Sequence, residues 1–285
     1  MTDLDMQRVE SILTEDLPPA PPSAAFIREM LTYSLESGGK RVRPQLCLMF
    51  CEACGGTSAD AAYFAAAVEY VHTYSLIHDD LPCMDNDDYR RGKPSSHKRF
   101  GEANALLAGD GLLTHAFTLA AQAETAAGLD PAVCLEAVRR LSFLAGVAGM
   151  IGGQYLDLKS EGSSLSGKEL LEMDSLKTGA LIEAACVLGC LAGGGKRDEL
   201  DAAAVFARRL GVAFQIKDDL LEYDSDEEDS DERNEKSTYV SVFGPERAFT
   251  LARTFTAEAI DALSVFGSRG DALRRFADAL LNRDR

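Results

Sequence analysis

The chain has 285 residues, of which 46% are hydrophobic, and it carries a formal net charge of −17. That length and apolar content suffice for one large core. The negative charge argues against nucleic acids and anionic membranes as partners. The sequence contains no uncharged apolar run of about eighteen residues or more, so it predicts no membrane span. Its acidic start lacks the basic and apolar regions of a secretory signal, which favours a cytoplasmic location.

The predicted elements are helices almost throughout, because apolar residues recur with helical spacing and strand signals are nearly absent. A short amphipathic N-terminal helix and a proline-rich link occupy residues 1–22. The longer helices are predicted over residues 60–81, 103–127, 131–150, 168–191, 198–223, 245–263 and 271–282. Glycines predict breaks at residues 38–39, 55–56, 152–153 and 193–195. The expected fold class is all-α, a bundle of about ten helices in a single domain spanning residues 1–285.

An acidic segment and the cysteines both have ordinary structural explanations. Residues 224–235 are too acidic to pack, so they are predicted to form a solvated loop between helices. The chain has seven cysteines, and Cys51 and Cys54 have the spacing of some metal and redox sites. Because their flanks are helical and rich in Ala and Leu, we interpret the cysteines as small, reduced core side chains.

The strongest chemical signal is a run of five aspartates within residues 79–88, which begins inside an apolar helix. Adjacent carboxylates in such a place repel one another unless cations hold them, so a divalent metal is the natural partner. A plain acidic helix end is disfavoured, because the helix dipole already places partial negative charge there. Pro82 interrupts the helix, so the spacing leaves open whether Asp79 and Asp85 converge.

A second acidic set ends another long helix. Asp218 and Glu222 lie four residues apart on one face, with Gln215 one turn earlier. Basic residues cluster at 40–43 and 90–93 against the acidic background. Magnesium ions prefer a few carboxylates combined with water and substrate phosphates. Two acidic sets with cations between them therefore indicate a diphosphate site.

In these motifs and their order, the chain resembles the trans-prenyl diphosphate synthase family, and most closely its bacterial farnesyl diphosphate synthases. The matching segments lie at residues 38–44, 79–94, 153–157, 177–179 and 214–219. The resemblance implies an all-α fold around a central cavity. It also implies Mg²⁺-dependent addition of isopentenyl diphosphate to dimethylallyl and geranyl diphosphates to give farnesyl diphosphate. Three bound Mg²⁺ ions and a homodimer are further implications.

The resemblance implies a role for each matching residue. Isopentenyl diphosphate would be held by Gly39, Lys40, Arg43, His72 and Arg91. The allylic diphosphate would be bound by Arg90, Lys177 and Lys236. The metal ligands would be Asp79, Asp80, Asp85, Asp218, Asp219 and Glu222. The Lys177 carbonyl, the Thr178 hydroxyl and the Gln215 amide would stabilise the allylic carbocation. Tyr74, with Ser75 beside it, would set the length of the product.

The chain departs from the family pattern at two places. Glu222 stands where the family usually has aspartate. The loop that normally carries a Gly-Lys pair is shorter here and is replaced by the acidic segment 224–235. A weakly active binding subunit of a heteromeric synthase is therefore an alternative. Geranyl and geranylgeranyl diphosphate synthases also remain alternatives, because they differ only in the depth of the pocket. A terpene cyclase has no need of Lys40 and Arg43 and fits less well.

Overall fold

A computed structural model describes residues 3–223 and 236–283. Within them the chain is almost entirely helical, and eleven α-helices have ten residues or more, which confirms the predicted fold class. The α-helices are α1 (Asp3–Glu15), α2 (Phe26–Leu35), α3 (Val42–Cys54), α4 (Ser58–Asp79), α5 (Ser96–Phe100), α6 (Glu102–Ala127), α7 (Pro131–Ala145), α8 (Met150–Ser160), α9 (Gly167–Asp174), α10 (Ala180–Ala192), α11 (Arg197–Tyr223), α12 (Tyr239–Phe243), α13 (Pro245–Ala262) and α14 (Asp271–Leu281). Strands β1 (Tyr89–Arg90) and β2 (Lys93–Pro94) form a small antiparallel hairpin. The acidic segment 224–235 lies outside the described residues.

Helix α4 lies at the centre of the bundle. Large side chains such as Phe64 and Tyr70 are fully buried in the main core, and many small alanines let neighbouring helices approach closely. A helix that is apolar on all sides belongs in a core rather than on a surface. The helix begins at a capping box, in which the Thr57 N–H donates to Asp60 at 2.7 Å. It ends at Asp79, so the first acidic motif begins where the central helix leaves the core.

The helix predicted over residues 131–150 is wrong at its C-terminal end. Helix α7 stops at Ala145, and α8 begins at Met150. Between them the backbone leaves the helical region, with ψ of −162° at Gly146 and −122° at Gly149. The apolar pattern continues through this turn, which is why periodicity alone predicts one helix.

The break predicted at residues 152–153 is also wrong, because both glycines lie inside α8. Gly153 is a packing residue: a Cβ there would lie 2.1 Å from the backbone nitrogen of Lys177. The facing segment is predicted as one helix over residues 168–191. It is divided by a π-helical turn, Ser175–Gly179, between α9 and α10. Such turns within helices are frequent at functional sites.

Two expectations drawn from composition need qualification. The continuous stretch Gly167–Ala192 is long and apolar enough to cross a membrane by length and composition, but most of it is buried inside the bundle. Its apolar character is therefore explained by its packing in the core.

All seven cysteines are free thiols, and five of them are buried, as the sequence predicts. The core interpretation is wrong for Cys83, which is exposed in the turn after α4, and only partly right for Cys54.

Candidate active site

Three cavities meet beside the C-terminal part of α4, and Leu76 lines all three. The apolar cavity has a volume of about 480 Å³, and its lining includes Tyr74, His78, Leu113, Met150, Ile151, Tyr155 and Leu158. The acidic cavity, of about 220 Å³, is lined by Asp79, Asp85, Asp157, Asp174, Lys177, Gln215, Asp219 and Lys236, among others. The basic cavity, of about 590 Å³, is lined by Gly39, Lys40, Arg43, His72, Arg90, Arg91, Gln215 and Asp218, among others. Most of the predicted site residues thus come together from distant segments.

The turn after α4 brings Asp79 and Asp85 together, which the spacing had left open. The Asp85 N–H donates to the Asp79 carbonyl at 2.9 Å, and both side chains line the acidic cavity. Two lysines bring positive charge into the same cavity. Lys177 donates to Asp157 at 2.6 Å, and Lys236 donates to Asp85 at 2.9 Å and to Asp157 at 3.1 Å. Anionic and cationic groups therefore alternate around this cavity.

The acidic cavity suits a divalent cation that is bound together with phosphate. The Asp79 carboxylate makes no hydrogen bond or ion pair with the described residues. Burial raises the pKa of Asp79 to about 6, with Lys177 opposing the shift and Asp85 adding to it. Such a carboxylate gains from a nearby cation, and its oxygens are the ligands that Mg²⁺ prefers. In residues 3–223 and 236–283, no three acidic, His or Cys side chains are placed to hold an ion unaided. The donor set therefore fits a metal that shares its ligands with a substrate.

Asp80 and Arg90 form an ion pair beside the acidic cavity. Asp80 is 3% exposed and accepts a hydrogen bond from Arg90 Nε at 2.9 Å. Asp87 accepts a longer bond from the same guanidinium at 3.4 Å. Arg90 belongs to strand β1, and it lines both the acidic and the basic cavity. In this arrangement Asp80 anchors Arg90 and is not among the described residues that line the acidic cavity.

The basic cavity contains the residues predicted to hold isopentenyl diphosphate. The turn before α3 has positive φ at Gly38 (80°) and Gly39 (127°), which favours glycine. The Arg91 guanidinium packs over Gly39, where a Cβ would lie 2.6 Å from it, and donates to the Gly38 carbonyl. Arg43 Nε is buried without a hydrogen-bond partner among the described residues. Burial, Arg43 and Arg91 hold the pKa of His72 well below its usual value, so this ring is neutral at pH 7.

A chain of hydrogen bonds connects the π-helical turn to α11. Thr178 Oγ1 donates to Gln215 Oε1 at 3.4 Å, and Gln215 Nε2 donates to Asp219 at 3.1 Å. Asp219 also accepts from the Tyr239 N–H at 2.7 Å. Thr178 lies between the apolar and basic cavities, and Gln215 lies between the acidic and basic ones. These two side chains thus occupy the junction of the three cavities, beside Lys177.

The second acidic set does not face a single cavity. Asp219 lines the acidic cavity and Asp218 the basic one, because successive residues of a helix point about 100° apart. Asp218 is bonded to Arg283, whose guanidinium lies 4.2 Å from the centre of the Phe214 ring. Glu222 is exposed and is not among the described residues that line the three cavities. Arg283 could not be predicted from the sequence, because it lies far from every motif.

Arg41 is a second residue that the sequence analysis missed. It is buried, has a left-handed backbone conformation with φ of 46°, and donates to Glu10 at 2.8 Å and to Glu69 at 2.7 Å. It also donates to the Leu35 carbonyl at 2.6 Å. In sequence Arg41 resembles one more member of a basic cluster. In the fold it joins α1 and α4 to the turn that carries the basic cavity.

Asp174 and Asp157 are buried acids with opposite environments. Burial and the neighbouring Asp219 raise the pKa of Asp174 to about 8, although the charge of Lys177 opposes the shift. Asp174 Oδ2 and the Tyr239 hydroxyl do not reach hydrogen-bond geometry with any described group. Burial alone would raise the pKa of Asp157, but the charges of Lys177 and Lys236 hold this pKa below its usual value. Asp157 belongs to a recognised motif, whereas no sequence signal marked Asp174.

The comparisons with known proteins agree with this geometry. The profile of the family described as Polyprenyl synthetase matches residues 24–280. The chain belongs to this family. It is 45% identical over 251 residues to the large subunit 1 of the heterodimeric geranylgeranyl pyrophosphate synthase of Arabidopsis thaliana, covering 85% of this chain and 68% of that protein. It is 40% identical over 270 residues to the farnesyl diphosphate synthase of Micrococcus luteus, covering 93% and 91%.

A solved structure extends this agreement to the fold. The crystal structure of a farnesyl/geranylfarnesyl diphosphate synthase from Zymomonas mobilis, named as FPP/GFPP synthase, matches with a TM-score of 0.88 and 36% identity over 98% of this chain and 96% of that one. The family resemblance seen in the sequence is thereby confirmed, and the chain is a trans-isoprenyl diphosphate synthase. The relatives include both farnesyl and geranylgeranyl synthases, so sequence similarity does not determine the product length.

Proposed function

We propose that this isoprenyl diphosphate synthase extends dimethylallyl and geranyl diphosphates with isopentenyl diphosphate and stops at farnesyl diphosphate. The observation that carries the proposal is the apolar cavity, whose lining includes Tyr74 as well as Asp79 and Lys177 of the acidic cavity. Tyr74 precedes Asp79 by five residues and is 5% exposed. A buried aromatic ring at that depth is large enough to stop a growing chain. Ser75 lines the same cavity and bonds to the His72 carbonyl at 2.9 Å.

In this proposal the basic cavity holds isopentenyl diphosphate. Lys40, Arg43 and Arg91 supply positive charge, and guanidinium groups bind phosphate oxygens in pairs. The buried Arg43 Nε, which has no partner among the described residues, gains one from such a ligand. Neutral His72 adds a hydrogen bond. Gly39 keeps the backbone close to Arg91 and so fixes its position.

The acidic cavity is proposed to hold the allylic diphosphate. Asp79, Asp85 and Asp219 would hold Mg²⁺ there, and the metal would supply positive charge against the leaving diphosphate. Lys177 and Lys236 line the same cavity, where their positive charges would bind the diphosphate oxygens. Arg90, fixed by its buried aspartate, contacts the diphosphate from the boundary with the basic cavity.

The reaction would take place where the three cavities meet. The allylic C–O bond breaks with both electrons leaving on the diphosphate, and a carbocation remains. The Thr178 hydroxyl, the Gln215 amide oxygen and the Lys177 carbonyl stabilise that positive charge. The double bond of isopentenyl diphosphate then forms a bond to the allylic carbon. A proton leaves the new cation to the departing diphosphate, which restores the double bond.

A geranylgeranyl product is the second candidate, because several relatives at 40% identity or more are geranylgeranyl synthases.

For the assembly we propose a homodimer in the cytoplasm. Leu107 on α6, Phe143 on α7 and Val147 in the following turn are large, apolar and exposed. A symmetric interface with a second copy of the chain would remove such side chains from water.

The purified chain should make farnesyl diphosphate from isopentenyl and dimethylallyl diphosphates in the presence of Mg²⁺. Products are dephosphorylated and their chain lengths measured by mass spectrometry, and a parallel reaction contains a chelator. A predominantly C20 product would favour the geranylgeranyl assignment. Activity that appears only when a second subunit is added would favour a binding subunit. Full activity with chelator would contradict the metal assignment.

A further inference from the structure

His78 of α4 fills the space between α4 and α6 at the wall of the apolar cavity. Its Nε2 lies 3.1 Å from the Leu106 carbonyl oxygen of α6. Because a carbonyl oxygen can only accept, Nε2 carries the proton and donates. The imidazole also packs edge-to-face on Tyr74, with 5.5 Å between ring centroids. Both rings line the cavity. His78 therefore connects the Tyr74 ring to the backbone of α6.

Gly109 of α6 provides the space that the imidazole needs. It is buried in a helix interior, where glycine is less favourable than alanine, so a packing reason is expected. A Cβ at this position would lie 2.1 Å from His78 Nε2 and 2.4 Å from Cδ2. Gly111, two residues later on the same helix, differs. A Cβ there would meet only Leu31 Cδ2 at 3.5 Å, an ordinary contact.

We propose that His78, seated against Gly109, positions Tyr74 as the end wall of the apolar cavity and so helps to set product length. The inference rests on the proposed function, since it requires the allylic tail to occupy this cavity. Tyr74 and His78 are four residues apart, so both side chains lie on one face of α4. With the imidazole packed against its ring and bonded to the next helix, Tyr74 cannot swing away from a growing tail.

Substitutions at Gly109 and His78 should change the reaction rates by amounts that depend on the length of the allylic diphosphate. Gly109→Ala leaves the imidazole no room on the side of α6 and pushes it toward Tyr74 and the cavity. Dimethylallyl diphosphate is short and stays near Asp79, so it should be little affected. Geranyl diphosphate reaches further and should be excluded. His78→Ala has the opposite effect, because it removes the support behind Tyr74 and adds space for a longer tail.

The test compares kcat/KM for dimethylallyl and geranyl diphosphates in the full chain and its variants. Gly109→Ala should lower the ratio of kcat/KM for geranyl diphosphate to kcat/KM for dimethylallyl diphosphate by about tenfold. That is the usual effect when one methylene group no longer fits an apolar pocket. The double variant Gly109→Ala, His78→Ala should recover the ratio, because the clash is gone. Gly111→Ala is the matched control and should leave the ratio unchanged. His78→Ala alone should raise the C20 share of the products by about tenfold.

Three outcomes would overturn the inference. In one, a folded Gly109→Ala variant keeps the wild-type ratio. In another, this variant loses activity equally with both primers, which is the result of a merely structural defect. In the third, His78→Ala leaves the product lengths unchanged, a result that is decisive even if Gly109→Ala fails to fold. A wild-type chain that makes no isoprenoid product would instead contradict the proposed function itself.

Discussion

Lys236 Nζ lies 2.9 Å from a carboxylate oxygen of Asp85, although 151 residues separate the two in sequence. The lysine side chain is 6% exposed, and it also reaches Asp157 at 3.1 Å. Burial opposes its charge, but the two carboxylates raise the pKa of Lys236 above its usual value. The lysine thus stays protonated at neutral pH and ties the segment before α12 to the first acidic motif. Its charge and its position in the acidic cavity make it a suitable partner for a bound diphosphate.

Lys236→Gln should raise the KM of the allylic diphosphate by about tenfold or more, because a charge-assisted contact is worth about 1.5 kcal/mol or more. The KM of isopentenyl diphosphate should change little, since Lys236 does not border the basic cavity in the described structure. Lys159→Gln is the matched control, because Lys159 is exposed on α8. Steady-state kinetics with each substrate varied in turn provide the measurement. Equal increases in both constants would contradict the assignment.

Asp79→Ala should reduce turnover by at least about a hundredfold, the scale for loss of one electrostatic contact in the transition state. Its melting temperature without metal should stay the same or rise. Burial disfavours the Asp79 anion, as the pKa of about 6 indicates, and its removal also relieves repulsion from Asp85. Asp261→Ala, at an exposed site outside the three cavities, is the control. Near-normal turnover with a lower melting temperature would mean that Asp79 is structural.

Features set by repeating patterns were predictable, whereas features set by contacts between segments were not. Helices α6 and α11 begin within one residue of their predicted starts and end as predicted, because apolar periodicity continues along their whole length. The π-helical turn Ser175–Gly179 interrupts no pattern. It is packed against Gly153 of α8, across the site, and that contact cannot be read from either segment alone.

The same distinction applies to the site. Lys40 and Arg43 were predicted from a motif and do border one cavity. Arg41, which lies between them, is equally basic in sequence and lines the same cavity, yet its guanidinium is paired with two glutamates from other helices. Whether Asp79 and Asp85 converge depended on the turn between them. A bend after Pro82 admits several geometries, and a backbone hydrogen bond across the turn selects one of them.

Product length provides a prediction for Tyr74. Tyr74→Ala should lengthen the products toward C20 or beyond, because the cavity loses the ring that limits it. Tyr74→Phe is the matched control: it keeps the ring and removes only the hydroxyl, so its products should remain C15. Mass spectrometry of the dephosphorylated products measures both. An unchanged product distribution in folded Tyr74→Ala would mean that the ring is an ordinary core side chain.

Arg41→Gln should lower the free energy of unfolding by about 3 kcal/mol, because it leaves Glu69 buried without its partner. It should also raise the KM of isopentenyl diphosphate, since Arg41 holds the turn that carries the basic cavity. The allylic KM should stay nearly constant. Arg139→Gln breaks an exposed ion pair with Glu136 and should change neither quantity. Urea unfolding and steady-state kinetics check both effects, and an unchanged unfolding midpoint would contradict the buried anchor.

Asp174 predicts a pH dependence of stability. Its pKa rises from 3.8 in the unfolded chain to about 8 in the fold, because it is buried beside Asp219. Between those values the folded state retains a proton that the unfolded state releases. Its contribution to stability is therefore greatest below about pH 4 and is lost as the pH rises toward 8, at up to about 1.4 kcal/mol per pH unit.

Asp174→Asn keeps the neutral form of the side chain at every pH and should remove this dependence. In buffer with a chelator, the urea midpoint of the variant minus that of the wild type should increase steadily as the pH rises from 5 to 8, because only the wild type loses stability by this route. All other acids are common to the two proteins, so the difference between the two curves isolates Asp174. Curves that run parallel from pH 5 to pH 8 would show that the carboxyl group is ionised in the fold. Tyr239 would then have to donate a hydrogen bond to it, because a buried carboxylate beside Asp219 cannot stay charged without a partner.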